Sequence, residues 1–142
     1  MKALLSRVAL ASVLMGASVL AVAATPAPEG AKVSILSPAD GATVDKTFTV
    51  KFGIDGVDLK PAGDPAPHSG HHHLLVDVDT PIAPGQVIPT DDHHLHFGKA
   101  QTETELTLAP GKHTLQLELG DMGHQAFDPL IVSKKITVNV KE

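Results

Sequence analysis

Six of the nine histidines in this chain stand in two short bursts, His71-His72-His73 and His93-His94-Leu95-His96. The other three, His68, His113 and His124, lie nearby in sequence, and cysteine, tryptophan and tyrosine are absent. Imidazole titrates near neutrality and is the commonest metal ligand proteins supply. Alternate residues of an extended segment share a face, so His71 pairs with His73 and His94 with His96. Two such pairs offer four nitrogen ligands, enough for a tetrahedral zinc or a tetragonal copper(II) site. Asp91, Asp92 and Asp121 are candidate acceptors for the outer ring nitrogens, fixing the tautomers. His72, His113 and His124 are further candidates, as ligands or as hydrogen-bonded boundary residues, and His68 sits in a Pro/Gly/Ser segment open to solvent.

The elements that must position these groups read as strands. Phe48, Val50, Phe52 and Ile54 alternate with polar residues or glycine, and Leu74, Val76 and Val78 alternate with Leu75, Asp77 and Asp79. The same period recurs in Thr104-Leu106-Leu108, in Leu115-Leu117-Leu119 after the Pro110-Gly111 turn, and in Ile136-Val138-Val140. No segment sustains a helical period. Six or seven short strands in a little over 100 residues predict an all-β fold, an immunoglobulin-like antiparallel β-sandwich. Phe48, Val50, Phe52, Leu74, Val76, Val78, Leu106, Leu115, Leu117, Leu119, Ile136 and Val138 should form its core. Within that frame His71 and His73 project away from the core and His72 towards it, while His113 starts an inward row. Two proline-bearing stretches, Val57 to Gly70 and Thr80 to Thr90, lead directly into the histidine bursts. Gly120 to Leu130 forms a third loop, and loops of this length in a compact domain commonly carry function.

Lys2 and Arg7 precede an apolar run to about Val22, followed by small residues that offer cleavage before Ala24 or Thr25. This is the pattern of a secretory signal peptide, giving residues 1–24 as signal, 25–31 as linker and 32–142 as the His-rich domain. The chain is thereby expected to be exported to the periplasm, with no membrane insertion after signal cleavage. Beyond residue 24 stand nine lysines, no arginine and 16 acidic residues, a formal charge of −7. That balance speaks against nucleic acid and anionic membranes, which are gripped by clustered Lys and Arg. The missing arginine also removes the bidentate fork used on phosphates and carboxylates. Without cysteine there are no disulfides, so packing must supply stability.

Gly70-His71-His72-His73-Leu74-Leu75, His94-Leu95-His96-Phe97-Gly98 and Gln101-Thr102-Glu103 resemble the motifs of a bacterial domain-of-unknown-function family. Pro110-Gly111-Lys112-His113 and Gly120-Asp121, with His124 three residues on, fit it as well, and the likeness spans nearly all of Val33 to Val140. It implies an exported protein of unassigned role, and matches His71, His72, His73, His96, His113 and His124 to the family's pattern, but not His68 or His93. Lys99-Ala100 stands where a glycine is expected before Gln101. The His94–Gly98 segment also superficially resembles the copper-binding strand of Cu/Zn superoxide dismutases, but their disulfide and steering arginine have no counterpart here. No nucleophile stands in a catalytic setting. The sequence reads as a non-catalytic binding protein for a divalent metal ion, zinc or copper(II), serving as carrier, buffer or sensor. Copper(I) fits less well, because Met122 is the only methionine after residue 24. The alternative is a cell-envelope interaction module whose histidines are structural.

Overall fold

A computed structural model describes residues 23–142. The expected signal peptide lies, through residue 22, outside the described residues. The remainder contains strands and no helix: β1 (Lys32–Ser37), β2 (Thr43–Val44), β3 (Thr47–Asp55), β4 (Asp58–Leu59), β5 (Ser69–Val76), β6 (His94–His96), β7 (Glu103–Thr107), β8 (Gly111–Gly120) and β9 (Ile136–Val140). Strands β1, β3 and β7 form one sheet; β2, β9, β8, β5 and β4 form the other, with β6 also paired to β5.

The alternating residues explain the sandwich. Val33, Val50, Phe52 and Leu106 from the three-stranded sheet meet Leu74, Val76, Leu115, Leu117, Leu119, Ile136 and Val138 from the larger one. Ten of the twelve expected core residues are buried. Phe48 is half-buried, and Val78 falls outside β5 because Asp77 turns the chain at φ 57°. Two features depart from expectation. The three very short strands β2, β4 and β6 are too brief to show a period, and they raise the count to nine. The larger sheet is also mixed rather than antiparallel throughout, since β2 runs parallel to β9 and β4 parallel to β5.

Thr25–Ala31, expected as a linker, is instead laid onto the domain. Pro26 bridges to Asp128, and Ala27 and Ala31 pack against the core. Prolines and alanines alone carry no strand period, but their small apolar surfaces suit a flat seat on an existing core.

Strand β5 is the backbone of the site. It pairs with β8 along its whole central length, from His71↔Gly120 to Val76↔Leu115. Its other edge carries β4 at one end and β6 at the other, with His73↔His96, Leu74↔Leu95 and Leu75↔His94. All eight β5 residues are buried, so the face away from the core is not a solvent face. Two loops roof it. The Thr80–Thr90 and Gly120–Leu130 segments hydrogen-bond to each other through Gly85 N–H to Ala126 O, Ala126 N–H to Gln86 O and Ile88 N–H to His124 O.

A candidate metal centre of four imidazoles

The register places His71 and His73 of β5 and His96 of β6 on the roofed outer face, and the Gly120–Leu130 loop brings His124 in beside them. Ring centroids of His71 lie 4.8 Å from His73, 5.0 Å from His96 and 4.9 Å from His124. His96 lies 5.2 Å from His73 and 4.7 Å from His124, closing the group. Among the described residues, His71, His73 and His96 each offer a ligand atom within 4.8 Å of the others'. His124 Nε2 stands 3.0 Å from His96 Nε2.

Burial defines the electrostatics. His71 and His73 are fully buried, and none of their four ring nitrogens has a hydrogen-bond partner. An unpartnered buried polar group costs about 1–3 kcal/mol, so two adjacent imidazoles left this way invite a ligand. Burial pushes His71 down to about 4, helped by the neighbouring His124 and His96. Burial likewise takes His73 down to about 3, with His71 and His96 adding to it. His96 is lowered in the same way, by burial and then by His124. All three are therefore neutral at pH 7, the form that coordinates metal.

Two glycines clear the space. A Cβ at Gly120 would lie 2.7 Å from His73 Cε1, and one at Gly98 would meet the His96 ring, 2.9 Å from Nε2. His124 itself sits at φ 65°, a left-handed conformation that histidine adopts more often than most residues. The Asp121 carboxylate imposes it, accepting from Gly123 N–H and Gln125 N–H at 2.9 Å each.

The other residues singled out from sequence have different stations. His94 shares the face of His96, but its register partner is Leu75. Its Nδ1 pairs with Asp91 Oδ1 at 2.9 Å, while its Nε2 is buried and unpartnered. Asp91 thus fixes a ring outside the four-imidazole group, Asp92 is exposed, and Asp121 bonds backbone and Thr25 rather than an imidazole. His72 points into the core against Phe52, 5.1 Å between rings, and burial lowers it to about 4. At the far end of β8, His113 Nδ1 lies 2.7 Å from Asp77 Oδ2 and its Nε2 lies 2.8 Å from Ala109 O. Burial pulls His113 down, but these two partners outweigh it and leave the imidazole above its ordinary value. His68 is exposed at φ 54°.

Sequence reading missed Glu118. It is fully buried on the outer face across from His73, with Oε2 accepting from Ile82 N–H at 2.9 Å and Oε1 unpartnered. Burial drives its carboxyl up to about 7, against the Ile82 N–H and the nearby His94. It occupies a polar position in the alternation of β8, and the roof of loops removes it from water.

A family model described as a domain of unknown function, DUF4399, matches residues 50–141. The chain belongs to that family. The DUF4399 span takes in β4 to β9 and all four clustered imidazoles, but not β1, β2 or Thr25. No curated protein and no solved structure matches the chain.

Proposed function

We propose that this DUF4399 protein binds one divalent cation, Zn²⁺ or Cu²⁺, at His71, His73 and His96, with His124 as the fourth ligand. The observation that carries the reading is the unpartnered state of the four ring nitrogens of His71 and His73, buried beside two further imidazoles. Zinc–nitrogen bonds of about 2.0–2.1 Å put tetrahedral ligand atoms about 3.3 Å apart. The 3.0 Å separation of His96 and His124 is already close to that, and the ligand atoms of His71, His73 and His96 lie within 4.8 Å of one another, so the rings must draw together on binding. An all-imidazole set suits zinc and copper(II) better than harder ions, which favour oxygen.

Four closed ligands under a roof describe binding rather than turnover, and we read the protein as a carrier, buffer or sensor without catalytic activity. Export to the periplasm follows from the reading of residues 1–24 and belongs to the same proposal. Metal analysis of tag-free protein, followed by calorimetric titration with Zn²⁺ and Cu²⁺, tests it. One equivalent should bind saturably, and the His71→Ala and His73→Ala variants should lose that uptake. If the wild-type protein takes up neither ion, the histidines serve the fold alone and the protein is an interaction module.

A further inference from the structure

His124 is the only one of the four imidazoles that comes from a loop, so something must hold that loop in place. Four of the bonds that shape its turn converge on Asp121, beside those from Ile88 N–H to His124 O and from Gly63 N–H to Met122 O. Asp121 Oδ1 accepts from the amides of Gly123 and Gln125, its carbonyl accepts from His124 N–H, and its own N–H donates to Gln125 O. Its second carboxylate oxygen, Oδ2, accepts one hydrogen bond, 2.7 Å long, from Thr25 Oγ1. Thr25 is itself tied down, because its carbonyl accepts from Asp128 N–H at 2.9 Å and Ala27 N–H donates to Asp128 O at the same distance. The N-terminal segment therefore grips the loop on both sides of His124, at Asp121 before it and at Asp128 after it.

We infer that Thr25 is a positioning residue for the metal centre, a clasp that acts through Asp121 to hold His124 over His71 and His96. The inference rests on the metal-binding reading for its consequence, but the clasp itself is a hydrogen-bonded geometry. Asp121 is largely buried and Thr25 is, among the described residues, the one side chain that donates to Oδ2, so losing that donor loosens the carboxylate's hold on the two amides. Both cleavage positions read from the small residues before Thr25 leave this clasp in the mature chain. Trimming past Thr25 would remove it.

Thr25→Val preserves shape and removes the donor, and Thr25→Ser keeps the donor. Zn²⁺ affinity, measured by competition with a chromophoric chelator, should fall roughly tenfold in Thr25→Val, the low end of what losing a ligand's direct hydrogen-bond partner costs, and stay at the wild-type value in Thr25→Ser. In a His124→Ala background the Thr25→Val change should cost nothing further, since there is no ligand left to position. An unchanged affinity in Thr25→Val, or an equal loss in both backgrounds, overturns the clasp. A second measurement stands apart from metal. In metal-free Thr25→Val the amides of Gly123 and Gln125 should exchange with solvent faster while those of Leu117 and Leu119 do not. If the wild-type protein binds no metal, the metal reading fails, and this exchange pattern alone decides for or against the clasp.

Discussion

His96 Nε2 and His124 Nε2 lie 3.0 Å apart although 28 residues separate them in the chain. At that distance two neutral imidazoles share either a proton or a cation. The partnerless nitrogens of His71 and His73 beside them favour the cation, because it would take up one nitrogen of each ring, whereas a proton shared by His96 and His124 would leave all four unsatisfied. The expectation is a ranking. His96→Ala and His124→Ala should each weaken Zn²⁺ binding by roughly 100-fold, at least the upper end of what losing a ligand's hydrogen-bond partner costs. His94→Ala should weaken it far less, and His68→Ala not at all. Calorimetric titration of the four variants checks this, and a His94→Ala loss equal to that of His96→Ala would place the site around the wrong pair.

Protonation gives a separate expectation for the metal-free protein. His71, His72 and His73 have folded values of about 4, about 4 and about 3, against about 6.5 in an unfolded chain. Between those limits the unfolded chain binds protons that the native state refuses. Their contribution is whole above pH 6.5 and is lost as pH falls towards 4 and then 3. Glu118 works in the opposite sense. Its folded value of about 7 stands above the ordinary carboxyl value, so its contribution is whole below about pH 4.5 and disappears as pH rises through 7. Three groups outweigh one, and chemical-denaturant stability should drop by several kcal/mol in order of magnitude between pH 6.5 and 4. Bound zinc should steepen that slope, since ligated nitrogens exclude the proton from the native state while the unfolded chain still takes it up. A metal-free protein equally stable at pH 6.5 and 4.5 would contradict the burial of these rings.

How much of this was legible in the residues is a question of register. The alternation of β3, β5, β8 and β9 is in the sequence, and it correctly sent His72 to the core and His71 with His73 to the opposite face. The side-by-side meeting of the two bursts was also readable, as β5 and β6 show. The offset was not. Nothing local says that His73 pairs with His96 while His94 faces Leu75, because a three-residue strand fixes no register of its own. That offset leaves the flank of His71 open, and His124 fills it from a loop whose only local signal is the Gly120-Asp121-Met122-Gly123 turn. The buried carboxyl of Glu118 was hidden for a related reason. Its burial comes from Ile82 and the paired loops, contacts made between segments far apart in sequence.

The glycines beside the cluster give a stringent steric prediction. Gly120→Ala would set a methyl carbon 2.7 Å from His73 Cε1, well inside contact distance, and both groups stand on paired central strands that cannot separate. The ring of His73 must tilt, so the variant should lose most of its zinc affinity. Overpacking typically costs about 1–3 kcal/mol, so the thermal midpoint should fall as well. A Gly120→Ala protein that binds zinc normally would show that His73 is free to leave the cluster without consequence.

His113 and Asp77 test whether histidine content as such or the clustered geometry controls binding. Asp77 ends β5, and its carboxylate takes the His113 ring through Oδ2 and the Thr114 amide through Oδ1, at 2.7 and 2.9 Å. The pair ties β5 to β8 at the end of the sheet opposite Gly120, so it supports the sandwich without touching the four imidazoles. The raised value of His113 means its contribution is whole below about pH 6.5 and fades as pH climbs through the folded value. His113→Ala should therefore destabilise the fold by about 1–2 kcal/mol, more at pH 6 than at pH 8, with zinc affinity unchanged. Paired denaturation and titration measurements separate the two effects. An affinity loss in His113→Ala as large as that of His96→Ala would mean that zinc follows the number of histidines, and the four-imidazole centre would lose its claim to be the site.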